Sequence, residues 1–322
     1  MRLATFEFQG ERRIGAVVGD RIVDLAAAHK GWLESQGGDL VQTLPTDMVA
    51  LLERGEEGLA SAQAAVRYGS GRPVGQRLSY NLAEVALKAP IPRPGKILAA
   101  EFNYAEHIRE ANNYVRRLSY SVPDWPLQDW PWTFPKLPHA VVGPGDRIVR
   151  PRNTHCLDGE VELAAVIGRA GHRIHAEQAI NYVVGYTGMI DVSARDIEFT
   201  PAPVVNHRLY SLGKNNDTFA PMGPVLVTRD EVSDPQGLDL RLERNGEVIQ
   251  LDNTASMIIP LRELVVFYSQ FFTLEPGDLI LTGTPGGVGG FREPPIYWEP
   301  GDRIVASISQ IGSLEHEIVE EI

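Results

Sequence analysis

Residues 157–168 run Leu-Asp-Gly-Glu-Val-Glu-Leu-Ala-Ala-Val-Ile-Gly, an extended apolar stretch broken near its start by two glutamates. On a strand, side chains two residues apart share a face, so Glu160 and Glu162 would stand side by side. Two like charges 4 Å apart repel by about 4 kcal/mol at an effective dielectric near 20, so an enclosed pair needs a positive partner. The continuation Leu163 to Ile167 has the character of a strand buried on both faces, which makes enclosure plausible and a divalent cation the simplest counter-charge. An all-oxygen set favours Mg²⁺ or Mn²⁺ over zinc. Taken alone, the pair also fits a solvated strand edge carrying surface glutamates. A second acidic element, Gly-Tyr-Thr-Gly-Met-Ile-Asp-Val-Ser-Ala-Arg-Asp at 185–196, follows a β-prone run and ends in a cluster able to open a helix. That places Asp191 at a strand end, where ligands bind in mixed folds.

The elements that must hold these carboxylates are mostly strands. Short β-prone runs at Ala4 to Phe8, Arg13 to Val18 and Arg21 to Leu25, separated by Gln9-Gly10 and Gly19-Asp20, form a small meander. Apolar positions at three- and four-residue steps between Asp47 and Tyr68, with Gly55 and Gly58 between the two sets, predict two short helices. Pro90, Pro92, Pro94 and Gly95 then mark a boundary between a small N-terminal domain, 1–90, and a main domain, 91–322. Downstream strands are expected at Lys96 to Ala100, Arg147 to Arg150, Glu160 to Ile167, Val183 to Thr187, Val225 to Val227, Leu238 to Arg244, Leu279 to Thr282 and Arg303 to Ile308. Helices are expected at Ala176 to Tyr182 and Pro260 to Phe271. The fold class is therefore a β-rich α+β protein. Gly-Asp-Arg-Ile-Val occurs at Gly19, Gly145 and Gly301, with Gly-Asp-Leu-Ile at Gly277; the irregular spacing points to a recurring turn-then-strand rather than a repeat array. Residues 116–134 carry Tyr120, Trp125, Trp130 and Trp132 among prolines, fitting either an ordered loop over a pocket or a loop held down by aromatic burial.

The chain of 322 residues carries a formal net charge of −12, 43% hydrophobic and 22% charged residues. Such a surface repels phosphate backbones and anionic lipid, which argues against nucleic acid and membrane partners. A single cysteine, Cys156, leaves no internal disulfide, and the first residues lack the basic and apolar regions of a secretion signal, so a cytoplasmic location is expected. Apolar runs fall short of the roughly 20 residues that span a bilayer.

Together, Leu-Asp-Gly-Glu-Val-Glu-Leu with Val-Ile-Gly, then Gly-Tyr-Thr and Asp-Val-Ser-Ala-Arg-Asp, resemble the signature of the fumarylacetoacetate hydrolase family. The resemblance continues through Lys214, Asp217-Thr218-Phe219 and Pro221-Met222-Gly223-Pro224. It extends over Asn245-Gly246-Glu247 with Gln250, Asn253 and Thr254, and over 274–285, Leu-Glu-Pro-Gly-Asp-Leu-Ile-Leu-Thr-Gly-Thr-Pro. It covers roughly Lys96 to Ile322. It implies a mixed β-sheet roll or sandwich as the catalytic domain beside the small N-terminal α+β domain, and a homodimer.

By that resemblance Glu160, Glu162 and Asp191 bind Mg²⁺ or Mn²⁺, and a 2-oxo acid or its enolate chelates the metal. Arg195, Lys214 and the Thr284 loop then surround the substrate's carboxylate and developing charge, an arrangement suited to stabilising an enolate in an enclosed site. Residues 102–110, Phe-Asn-Tyr-Ala-Glu-His-Ile-Arg-Glu, resemble the family's lid, with Tyr104 on the substrate side. On one helical face Glu110 would orient His107 as a general base that activates water. Without the resemblance, Arg195 would be taken for an ion-pair partner, Lys214 for a surface residue and His107 for a lone helical histidine. Two positions depart from the family pattern: Glu101 stands where a glycine is common, and Glu198 where glutamine is usual. The expected activity is metal-dependent hydrolysis of a carbon-carbon bond in an acylpyruvate-like 2,4-dioxo acid. The rivals are decarboxylation, hydration or isomerisation of a 2-oxo acid on the same scaffold, and a non-catalytic metal-binding protein. No nucleophile elbow, Walker loop or dinucleotide fingerprint is present, and His172 and His175 fall in a stretch expected to be a solvated loop.

Overall fold

The structure, a computed structural model, describes residues 1–74, 77–117, 126, 130–198 and 210–322. Two sheets carry the fold. The larger has twelve strands, and its main path runs Ser79–Asn81, Arg21–Asp24, Glu11–Val18, Arg2–Phe8, Ala220–Thr228, Val183–Ala194, Leu157–Ile167, Leu279–Leu281, Ile97–Glu101 and Trp132–Lys136. The second has five strands in the order Glu247–Asn253, Asp239–Arg244, Arg303–Ile308, Gly312–Glu320 and Ile148–Arg150. The β-rich α+β class follows the sequence. The N-terminal meander is as expected, and its first strand continues the large sheet by pairing Arg2 with Val227 and Leu3 with Leu226.

At the centre of the large sheet, Leu157–Ile167 is buried along its whole length and pairs with Val183–Ala194. Eleven consecutive buried residues need a neighbour on every side. Packing supplies one on the face through Trp298, fully buried over Gly159. A Cβ on Gly159 would stand 2.1 Å from the Trp298 ring, so only glycine allows the strand this close to the indole.

The Gly-Asp segments are turns before strands. Pro144-Gly145-Asp146, Pro276-Gly277-Asp278 and Pro300-Gly301-Asp302 share one geometry in which glycine takes a positive φ (76°, 88° and 94°). In each turn the aspartate N–H donates to the carbonyl three residues back, on Gly143, Glu275 or Glu299. The N–H of that same residue donates to the aspartate carboxylate at 2.7–2.8 Å. Proline presets the first turn angle, glycine supplies the second, and aspartate closes the turn from both sides.

The two helices expected between Asp47 and Tyr68 are Met48–Glu53 and Gly55–Ser70, and Leu261–Phe271 is also where it was expected. Ala176–Tyr182 is a 3₁₀ helix rather than an α-helix. Helix Leu25–Gln36, whose start was taken for a strand end, has both end signals: Asp24 accepts from Ala27 N, and Gly37 closes it in the left-handed region. Strands Glu247–Asn253, Gly312–Glu320 and Trp132–Lys136 were not anticipated. Of the tryptophan-bearing segment, Tyr120 and Trp125 lie outside the described residues. Trp132 opens a strand, and Trp130 packs its edge on Phe267. Among the described residues, no helix is long and apolar enough to cross a membrane.

Gly159→Ala should destabilise the fold by about 1–3 kcal/mol through overpacking against Trp298; urea unfolding should show a lower midpoint at unchanged slope. A second test concerns His316, buried with its Nδ1 bonded to the Asp146 carbonyl at 2.7 Å. Burial pushes its pKa below 6.5, with the Asp146 contacts and Glu315 opposing. The unfolded chain thus binds the proton more readily, and the stability His316 contributes is present above about pH 6.5 and lost as pH falls below it. Unfolding free energy measured from pH 8 to pH 5 should show this loss, and His316→Gln should remove that part of the profile.

Candidate active site

Cross-strand register brings the acidic residues together. Glu160 lies directly opposite Asp191 in the antiparallel ladder, and Glu162 follows two residues on along the same face. One carboxylate oxygen from each lies within 4.8 Å of the others, and all three residues are buried. The side-by-side placement predicted for Glu160 and Glu162 is what the strand provides. Asp191 stands inside Val183–Ala194, three residues before its end, because the strand is longer than its β-prone core suggested.

Three buried cations bind this group. Lys214 Nζ donates to Glu160 at 2.9 Å and to Asp191 at 2.7 Å, and lies 3.7 Å from Glu198. Lys136 Nζ donates to the other Asp191 oxygen and to the Lys214 carbonyl, both at 2.5 Å. Arg195 spends its three nitrogens on Asp158 (3.1 Å), Glu198 (2.9 Å) and Glu160 (2.5 Å). Five buried carboxylates, Asp158, Glu160, Glu162, Asp191 and Glu198, thus face three buried cations. The shortfall is two positive charges.

It falls on Glu162. Among the described residues, its carboxylate receives the Gly283 N–H at 2.8 Å and has no ion pair. Burial, then Asp191 and Glu160, push its carboxyl well above the usual range. Glu160 goes the other way: burial opposes ionisation, but Arg195 and Lys214 hold its carboxyl well below the usual range. A divalent cation among Glu160, Glu162 and Asp191 would supply the missing charge with the hard oxygen donors it prefers, so the residues fit such an ion.

His107 and Glu110 come from helix Ala105–Arg117. Glu110 accepts from Gly287 N (2.8 Å) and Val288 N (3.2 Å) and lies 2.8 Å from His107 Nδ1. A carboxylate that already takes two N–H groups acts as an acceptor, so Nδ1 carries a proton toward Glu110, and in the neutral ring the lone pair lies on Nε2. That Nε2 lies 3.9 Å from Glu160. Phe291 stacks on the imidazole at 5.6 Å between centroids and Phe102 tilts against it at 5.1 Å. His107, Phe102, Phe291 and Glu160 line a narrow cavity of about 20 Å³ together with Glu101, Phe134, Glu162, Arg195, Tyr210, Lys214 and Thr284. The Thr284 hydroxyl donates to the Val161 carbonyl and accepts from Gln250. Tyr104 is a core residue outside this lining, its hydroxyl buried and without a hydrogen bond.

Lys136, Gln250, Asn103 and Asp158 were given no site role in the sequence reading, whereas Glu101 and Glu198 were singled out there as departures from the family pattern. Nothing in a lone strand lysine such as Lys136 reveals an aspartate partner. Gln250 accepts from Val161 N and donates to Thr284 and Pro285, closing the edge of the site strand. Asn103 ties Ile259 and Thr282 and so fixes the loop that presents Gly283. Asp158 and Glu198 complete the shell of Arg195. Glu101 joins the lining; burial pushes its carboxyl up to about 7, against Lys214 and a hydrogen bond from Tyr210.

Comparison with known proteins agrees with the geometry. The family model for the fumarylacetoacetate hydrolase C-terminal domain matches residues 96–319. The chain is 40% identical over 301 residues to the mitochondrial oxaloacetate tautomerase FAHD2A of Bos taurus, covering 92% of this chain and 88% of the relative. It is 36% identical to oxaloacetate tautomerase YisK of Bacillus subtilis, over 99% of this chain and all of the relative. Among solved structures, maleylpyruvate hydrolase from Sphingobium sp. SYK-6, in complex with manganese(II) and pyruvate, superposes with TM-score 0.72 at 31% identity, with both chains fully covered.

The charge shortfall can be tested directly. Mn²⁺ or Mg²⁺ at a hundred times its dissociation constant should stabilise the fold by about 2.7 kcal/mol, seen as a higher Tm. Glu162→Gln should leave the metal-free protein as stable or more stable, since it removes a buried carboxyl whose ionisation is disfavoured there, and should lose the metal-induced rise. An equal rise in the variant would refute the assignment.

Proposed function

Because the chain belongs to the fumarylacetoacetate hydrolase family, we propose that it is a divalent-metal-dependent enzyme that interconverts the keto and enol forms of a short 2-oxo acid of the oxaloacetate type. One observation carries this. A complete carboxylate cluster and a His107 whose free Nε2 faces it sit on a chain 36–40% identical, almost end to end, to proteins named oxaloacetate tautomerases.

An ion held by Glu160, Glu162 and Asp191 would supply Lewis acidity toward the substrate's oxo group. The remaining work falls to side chains. His107 Nε2 takes the proton from C3 as the C3–H pair becomes the C2–C3 double bond and the C2=O π pair moves onto the oxo oxygen; the proton carried on Nε2 is then passed to that oxygen to give the enol, and in reverse Nε2 takes the enol O–H proton and returns it to C3. Glu110 holds the tautomer that makes this possible and supports the imidazolium. Lys214 fixes Glu160 and Asp191 and brings positive charge to the cavity wall, while Arg195 orients Asp158, Glu160 and Glu198 and positions the cluster. Phe102, Phe134 and Phe291 keep water from the proton in transit.

A second reading keeps every residue in place: Nε2 activates water against the distal carbonyl of an acylpyruvate, and the carbon-carbon bond breaks. The structural likeness to maleylpyruvate hydrolase supports it. Incubating the metal-loaded protein with oxaloacetate and with an acylpyruvate separates the two. Accelerated keto–enol exchange with the carbon skeleton intact is the expected result. Pyruvate plus a free carboxylic acid from the acylpyruvate would favour the hydrolase, and pyruvate plus carbon dioxide from oxaloacetate would favour a decarboxylase. His107→Ala should lower kcat/KM by about 10²–10⁴-fold, and Glu110→Gln by less; unchanged rates in both would remove His107 from the mechanism.

A further inference from the structure

We propose that Glu101 is a specificity-determining residue that selects 2-oxo acids whose distal end, the group on C3, is an uncharged hydrogen-bond donor over those ending there in a carboxylate. The proposal rests on the assignment of the site to a 2-oxo acid and adds which member of that class fits.

Glu101 is the last residue of strand Ile97–Glu101, held in register opposite Trp132. The next residue, Phe102, turns the chain in the left-handed region at φ 54° and leads into the His107 helix. Backbone on both sides thus fixes where the carboxyl stands, in the wall of the cavity that contains Glu160 and His107. The Tyr210 hydroxyl donates to it. A carboxylate has about four lone-pair sites, so acceptor capacity remains for a ligand.

The charges around Glu101 point the same way. Lys214 attracts it, while Glu198 and Glu160 add negative charge. Lys214 and Arg195 are themselves committed to Glu160, Asp191, Glu198 and Asp158. At pH 8, above the Glu101 pKa of about 7, a second carboxylate on the substrate would therefore approach Glu101 as a like charge, with those cations already committed. An amide or hydroxyl there would instead donate to Glu101. A glycine at this position would offer neither repulsion nor an acceptor.

Oxaloacetate and its 4-amide, 2-oxosuccinamate, have the same length and differ at this one end. With the Mn²⁺-loaded full chain at pH 8, keto–enol exchange should show a KM at least tenfold lower for the amide, with kcat values closer together. Glu101→Gln, which keeps the shape, and Glu101→Gly, which removes the side chain, should each shift the KM ratio at least tenfold toward oxaloacetate while changing kcat less. A residue that only supported the fold would lower activity on both substrates alike. KM ratios within twofold of the wild type in both variants would overturn the proposal. If the wild type turns over neither compound, the tautomerase assignment fails on its own. Calorimetric Kd values for the same two ligands on the Mn²⁺-loaded proteins then decide the role of Glu101 by the same ratio.

Discussion

Burying five carboxylates against three cations is the constraint on which the rest of this molecule depends. An unpaired buried charge costs several kcal/mol even after relaxation, and every element near the cluster answers to it. Lys136 reaches Asp191 from a strand on the far side of the sheet, Lys214 from a short helix, and Arg195 from the turn that ends the Asp191 strand itself. Each cation is also held by a second group, so none can swing away without stranding another charge. The network is short of positive charge, most of all at Glu162, which has no ion pair among the described residues. A site with a defined deficit is pre-organised for a divalent ion: little reorganisation is needed when it arrives.

The same constraint explains the unusual edge of the site strand. Leu157–Ile167 has a regular partner along one side, but on the other Leu279–Leu281 pairs only with Ala164, Ala165 and Val166. A second full strand would cover the carboxylates and close the cavity. The residues before Ala164 are satisfied by single groups instead: Gln250 takes Val161 N, Thr284 the Val161 carbonyl, Thr282 the Leu163 carbonyl and Trp298 N the Leu157 carbonyl. The cavity exists because side chains and loop backbone replace a strand there, and the glycine at 283 is what lets the loop pass. Its φ is 85°, and a Cβ would lie 2.7 Å from that of Asn103.

How far the site was legible follows from whether its geometry is local. Glu160 and Glu162 could be placed on one face because strand periodicity is local, and His107 with Glu110 because three residues make a helical turn. Asp191 was found in sequence but set at the wrong point of its strand, since the strand's length comes from pairing with 157–167 and 220–228. The register that puts Asp191 opposite Glu160 is a tertiary fact. Lys136, Gln250 and Asn103 were illegible as site residues for that reason: each reaches a partner more than fifty residues away, and no spacing announces it. Helix Leu25–Gln36 was legible in principle, through Asp24 and Gly37 at its ends, but Leu25 continues a β-prone run and was assigned to it. Tyr104, placed at the substrate by resemblance, is outside the cavity lining because it packs into the main core one residue before the helix begins.

One proton-handling group serves both reactions considered for this site. With Nδ1 fixed by Glu110, His107 Nε2 is a base whatever stands before it: a C3–H bond gives tautomerisation, a water gives hydrolysis. The carboxylate cluster and its cations treat the 2-oxo acid end of either substrate alike and cannot choose between them. Under the proposed reading the choice would lie with the rest of the lining, Phe102, Phe134, Phe291 and Glu101. Family membership is thus written in the central strands, and the reaction and substrate in the residues that close the cavity over them. A chain can keep every acidic ligand of its relatives and still differ in substrate through a single side chain at the end of Ile97–Glu101.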